Sequence, residues 1–149
     1  GHYSLWAWAS EPELVGEAIK DQEDYRLEPW FTVLDTPGTA SIAVLKGFFS
    51  SGEWGTLRPA AELLVEQPGD RKITDFQAVG RSASGDWLVA YVPTGGVVRL
   101  RAEASAGMSA RWFDPRSGHW QAAQRVSSDA DEERFATPDS RDWLLDLRR

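Results

Sequence analysis

The run Trp87-Leu88-Val89-Ala90-Tyr91-Val92 constrains the fold more than any other stretch of the 149-residue chain. In an extended strand, successive side chains point to opposite faces, so Trp87, Val89 and Tyr91 share one face and Leu88, Ala90 and Val92 the other. Both sets are apolar. Such a strand belongs at the centre of a sheet that is covered on both sides. Asp86 and Pro93 bound it, and Thr94-Gly95-Gly96 follows as a turn.

The sequence around this run reads as further short strands separated by turns. Phe76 to Arg81 is one. Val97 to Glu103 alternates, with Val98 and Leu100 inward and Arg99 and Arg101 outward. Met108 to Phe113 and His119 to Val126 form a hairpin around Asp114-Pro115-Arg116-Ser117-Gly118, where Pro115 presets the turn and Gly118 accepts a positive φ. A five-residue loop sets Trp112 opposite Trp120. Ser127 to Glu133 reads as a polar loop. Asp142 to Arg148 closes the chain, with Trp143, Leu145 and Leu147 on one face. Six short strands at this spacing predict a mainly β fold, a small antiparallel β-sandwich spanning 71–149. A sandwich of that size has a small core and gains from outside cover.

Residues 1–70 have a different texture. Ser10-Glu11-Pro12-Glu13 has the form of a capping box opening a short helix through Leu14, Val15, Ala18 and Ile19. Residues 21–29 are acidic and read as a surface loop. Thr36 caps and Pro37 starts a clearer helix, with Ile42, Leu45 and Phe49 on one face beside Val44 and Phe48, and Gly52 ending it. Pro59 opens another short helix through Val65, and Gln67-Pro68-Gly69-Asp70 is a linker. Charge divides at the same place. Residues 1–70 hold 12 acids and 4 bases, whereas 71–149 hold 11 acids and 12 bases, nearly all Arg.

The net charge of −7 argues against a nucleic-acid partner, because phosphate binding needs a basic surface. No apolar run approaches the roughly 20 residues of a membrane span. There is no cysteine, hence no disulfide framework or thiolate metal site. Eight tryptophans are a large share for this length, and indoles both fill cores and stack on sugar rings.

Four motifs occur in order: Trp87 to Pro93, Arg111-Trp112-Phe113-Asp114-Pro115-Arg116-Ser117-Gly118, Phe135-Ala136-Thr137-Pro138-Asp139, and Asp142-Trp143-Leu144-Leu145. Together they resemble the C-terminal domain labelled collagen-binding in bacterial proteins of the DUF4038 type. Those proteins are glycoside-hydrolase-like and include apiosidases. Gly1 to Trp8 is similar to the end of the eighth strand of their (β/α)8 barrel. Trp30 to Gly38 and the helix after it resemble the closing helix, and Trp54 to Pro59 the exit toward the sandwich. The resemblance implies that 1–70 is the end of a barrel, that the chain is part of a longer extracellular or periplasmic protein, and that its partner is the catalytic barrel. It also implies that no catalytic residue lies here, since the family's catalytic carboxylates sit on earlier strands.

Two groups remain as candidate sites. His2, Tyr3, Trp6 and Trp8 fall where a barrel's pocket rim would be. Trp112, Arg116, His119 and Trp120 lie on or near one hairpin and could stack on a polysaccharide or collagen, though a packed cross-strand tryptophan pair is the reading these residues favour. Asp129, Asp131, Glu132 and Glu133 match no calcium loop and read as a solvated acidic segment. No cofactor or metal is expected. A second function class is a free-standing polymer-binding module. A third is self-association through the apolar face of the Ile42–Phe49 helix.

Overall fold

The computed structural model describes residues 35–69, 75–128 and 131–149. The expected barrel-like start, the 10–19 helix, the 21–29 loop and the pocket residues His2, Tyr3, Trp6 and Trp8 lie outside the described residues. Residues Leu45–Arg149 form one compact unit and Gly1–Val44 another.

Helix α1, Pro37–Ser50, begins as the sequence implies. Thr36 Oγ1 accepts the Thr39 N–H at 3.4 Å and its carbonyl accepts the Ala40 N–H at 3.1 Å. The face it buries differs from the expected one. Phe48 is its buried residue, whereas Ile42 and Leu45 are exposed. Three-residue 3-10 turns follow at Trp54–Thr56 and Ala61–Leu63, on either side of strand β1, Arg58–Pro59. The region around Pro59 is therefore strand and tight turn, and a longer helix does not form there. Ala60 and Leu64 from this stretch enter the core.

The remaining strands are β2 Ala78–Arg81, β3 Trp87–Val92, β4 Val97–Arg101, β5 Ser109–Phe113, β6 Trp120–Ala122, β7 Arg125–Ser128, β8 Glu132–Ala136 and β9 Trp143–Arg148. A single helical turn, α2 at Ala102–Ser105, links β4 to β5. The larger sheet runs β1-β2-β3-β9-β5-β6 and the smaller one β4-β8-β7, with every pairing antiparallel. The expected sandwich is observed, and β3 takes its predicted central place between β2 and β9.

One set of side chains from each sheet meets in the core. Leu88, Ala90 and Val92 from β3, Leu145 and Leu147 from β9, and Trp112 from β5 pack with Val98, Leu100 and Phe135 of the smaller sheet. Two expectations are corrected here. The segment Ser127–Glu133 is not simply a polar loop, since β7 runs to Ser128 and β8 starts at Glu132. Two of its acids are paired: Glu132 with Arg99 across to β4 and with Arg134 along β8, and Glu133 with Arg125 across to β7. The stretch His119–Val126 is not one strand either. It divides between the two sheets as β6 and β7.

Gly52 lies just beyond α1 at a point of close approach. A Cβ there would come within 2.7 Å of the Trp87 ring, a distance real contacts do not reach. Gly52→Ala should therefore lower unfolding stability by roughly 1–3 kcal/mol through overpacking. Gly47, inside α1, has nothing within 4 Å of the same position. Gly47→Ala should stabilise by about 0.5–1 kcal/mol, the helix-propensity difference. Urea titrations of the two variants beside the parent check both signs.

Candidate functional site

The outer face of the larger sheet, away from the core, carries the features that need an explanation. Alternation places Trp87, Val89 and Tyr91 of β3, Leu144, Asp146 and Arg148 of β9, Arg111 and Phe113 of β5, and Trp120 of β6 on that face. Phe48 of α1 covers part of it. Its ring lies 4.8 Å from Phe113, 5.7 Å from Trp120 in a stacked arrangement, and 6.1 Å from Trp87.

Asp146 stands in the middle of these aromatics with 0% exposure. A buried carboxylate needs its charge compensated and its lone pairs filled. The Trp87 indole N–H donates to Oδ1 at 2.6 Å. The Arg111 guanidinium donates to Oδ2 at 2.8 Å, and Arg148 Nε donates to both oxygens at 3.0 and 3.1 Å. The two guanidiniums also lie over aromatic rings, Arg111 4.1 Å from the Trp120 centroid and Arg148 4.7 Å from that of Trp87. Arg148 then continues to the end of α1, where Nη1 donates to the Ser51 carbonyl at 2.6 Å and Nη2 to Ser51 Oγ at 2.8 Å.

Beside this network the face is open. Strand β2 contributes only Ala78 and Gly80, opposite Tyr91 and Val89, so a trench forms where larger residues would have filled the surface. Phe49, Leu57, Phe76, Val89, Tyr91 and Leu144 line a cavity of about 470 Å³ there.

The hairpin candidates do not converge. The turn from Asp114 to His119 holds six residues and closes with the Asp114 N–H on the His119 carbonyl at 2.9 Å. Trp120 therefore faces Phe113, and Trp112 faces Gln121. That one-residue difference sends the two indoles to opposite sides of the sheet. Trp112, 1% exposed, is core and beyond the reach of a surface ligand. Trp120 is 38% exposed beneath Arg111. Arg116 ties loops together: Nε donates to Asp114 at 2.8 Å, Nη1 to Asp142 at 3.1 Å, and its guanidinium lies 5.1 Å from the Trp143 ring centre. His119 is exposed on the turn.

The loop end around Arg116 is electrostatically settled. Burial alone would raise the Asp114 pKa, but hydrogen bonds from Arg116 and Ser117 hold it below the ordinary 3.8. Asp139 is held far below that value, first by the Arg141 side chain and then by the Trp143 indole N–H at 2.8 Å. Burial, and then the neighbouring Asp142 carboxylate, raise the Tyr91 phenol. These carboxylates are kept ionised, the reverse of what a general acid needs. Among the described residues, no group of three or more His, Cys, Asp or Glu side chains could hold a metal ion. No helix among them is long and apolar enough to cross a membrane.

The Asp146 network was not legible as a site from the sequence. Its signal is a lone acid inside the apolar run Trp143-Leu144-Leu145-Asp146-Leu147, two residues before an arginine. Asp146→Ala leaves two partly exposed guanidiniums without their shared anion and an indole without its acceptor. Since the guanidiniums can turn to water, the loss should fall at the lower end for a broken buried pair, about 3 kcal/mol by chemical denaturation. Asp139 has a depressed folded pKa, so its stabilisation is complete above pH 3.8 and fades as pH falls from there toward its folded value. Asp139→Asn should flatten the acid limb of a thermal-midpoint-versus-pH curve over that window; an unchanged limb would contradict the assignment.

A family profile described as "Putative collagen-binding domain of a collagenase" matches residues 59–148, more than half of the chain. No curated protein sequence matches. Among solved structures, a protein named glycoside hydrolase superposes with a TM-score of 0.66 at 20% identity, covering 83% of this chain and 28% of that one. A glycoside hydrolase family 5 protein from Bacteroides vulgatus superposes with a TM-score of 0.65 at 18% identity, covering 81% and 26%. At these identities the likeness is one of fold, and the chain spans little more than a quarter of either neighbour. The profile match spans more than half of the chain, and the chain belongs to this collagen-binding-domain family.

Proposed function

We propose that this chain is a non-catalytic accessory module of a glycoside-hydrolase-type protein, and that it packs on the catalytic barrel and stabilises it. The observation that carries the reading is the open trench on the outer face of the larger sheet, about 470 Å³ and lined by Phe49, Leu57, Phe76 and Leu144. Apolar cavities of this size are binding surfaces more often than idle ones. The fold neighbours named glycoside hydrolases, of which the chain covers 28% and 26%, support a parent with a catalytic portion elsewhere. The ordered motifs favour a parent of the DUF4038 type, within the apiosidase-containing group, and an extracellular or periplasmic setting. In this reading the barrel ends in the first part of the chain, and the sandwich takes in β1, Ala60 and Leu64 as well as 71–149.

The local chemistry agrees. Glycoside hydrolysis needs two carboxyl groups across the scissile bond, one of them a protonated acid. The buried Asp146 and Glu132 each face two guanidiniums instead. The isolated chain should release no sugar from a broad panel of plant glycosides, and release by the pure chain overturns the proposal. In the parent protein, Phe76→Asp or Leu57→Asp should lower the thermal midpoint of the barrel and leave turnover per folded molecule unchanged.

One observation favours a second reading, a polymer-binding module. Trp54 is 64% exposed on the turn after α1, and Trp120 is partly exposed. Exposed indoles stack on sugar rings or on the proline-rich surface of a collagen-like polymer. Affinity electrophoresis through gels of plant polysaccharide or denatured collagen distinguishes the two. Retardation that Trp54→Ala abolishes supports polymer binding. Unchanged mobility together with iodide-resistant tryptophan fluorescence excludes it.

A further inference from the structure

We infer that Asp146 is a positioning residue that latches the end of helix α1 to the sheet without a hydrogen bond of its own to the helix. The connection runs through Arg148. Both Asp146 oxygens fix Nε of that side chain, at 3.0 and 3.1 Å, which leaves Nη1 and Nη2 directed at Ser51. Those nitrogens hold the Ser51 carbonyl at 2.6 Å and its hydroxyl at 2.8 Å. The same hydroxyl donates to the Phe48 carbonyl at 2.6 Å, so the relay ends on the residue whose ring covers Phe113 and Trp120.

The end of the helix leans on this relay because, among the described residues, few side chains of 45–50 are held otherwise. Between Leu45 and Ser50, Phe48 is the buried side chain and Phe49 is half-buried, while Leu45, Lys46, Gly47 and Ser50 are exposed. A cation at the last carbonyls of a helix is favourable in its own right, and here it is oriented by a carboxylate that water does not reach. The sandwich core on the other side of the sheet includes none of these groups. Release of the latch therefore uncovers Phe113 and Trp120 and leaves the two sheets paired.

Hydrogen exchange of the full chain, read by peptide-resolved mass spectrometry, tests the latch. In Arg148→Met the amides of residues 45–52 should exchange at least about tenfold faster, while peptides from β3 and β8 keep their protection. Arg148→Lys should behave like Arg148→Met, because a single ammonium cannot span Asp146 and Ser51 as the planar guanidinium does. Asp146→Asn should open the same segment although Asp146 makes no hydrogen bond to it. Arg111→Met, which removes a bond to the same carboxylate without reaching Ser51, should leave the segment protected. Equal exchange of 45–52 in Arg148→Met and the parent overturns the inference. So does an Arg111→Met variant that opens the segment as far as Arg148→Met, since the carboxylate would then act by bulk stability and not by orienting Arg148.

Discussion

A carboxylate with no exposed surface, set among aromatic rings, must find its whole solvation within hydrogen-bond reach. Asp146 meets that demand on the outer face of the larger sheet, and the rest of that face is organised around the answer. The donors come from three strands: Trp87 from β3, Arg111 from β5 and Arg148 from β9 itself. Each long side chain that bonds Asp146 also covers a ring, so charge balance and apolar cover are provided by the same groups. Arg148 then recruits the end of α1, whose Phe48 closes the aromatic cluster.

The opposite face of the sheet obeys a simpler rule. Apolar side chains from both sheets pack together there without a charged group among them. Glu132 shows the difference. It lies at the start of β8 in the smaller sheet and is held by Arg99 and Arg134, with Arg99 also reaching Glu66. Arginine enrichment after residue 71 thus has a structural meaning. The guanidiniums serve as fixed counter-ions for acids that the strands carry into poorly solvated places, a task suited to a planar fork of donors.

Much of the sandwich could be read from alternation alone, because a side-chain period of two leaves little freedom once both faces are apolar. Trp87 to Val92 and Trp143 to Leu147 are such cases. Reading failed where the deciding quantity was not periodic. The hairpin register depended on one residue of loop length between Phe113 and Trp120, and a slip of one separated the expected tryptophan pair, with Trp112 in the core and Trp120 on the outer face. Ser127 to Glu133 looked solvated because its acids are hydrophilic in isolation, whereas Glu132 and Glu133 are held by arginines of their own and the neighbouring strands: Arg134 two residues on, Arg125 on β7 and Arg99 on β4. In α1 the apolar stripe was real, but Phe48, beside it, met the sheet. The candidate site was less legible still, since Asp146 acquires its importance only when strands β3, β5 and β9 are neighbours.

The outer face divides into a closed part and an open part, and the division follows side-chain size. Over β3, β9, β5 and β6 the sheet presents Trp87, Asp146, Phe113 and Trp120, and α1 has something to pack on. Over β2 it presents Ala78 and Gly80, and the surface sinks into the trench. Leucine at either position would be expected to fill much of that space from within the chain. Small residues at two successive outward positions, beside Phe49, Leu57 and Phe76, leave an apolar hollow at the edge of a face that is elsewhere covered. Water in such a hollow has few polar partners. A partner that fills it with its own apolar side chains removes both surfaces from water at once, which is the driving force the accessory-module reading requires.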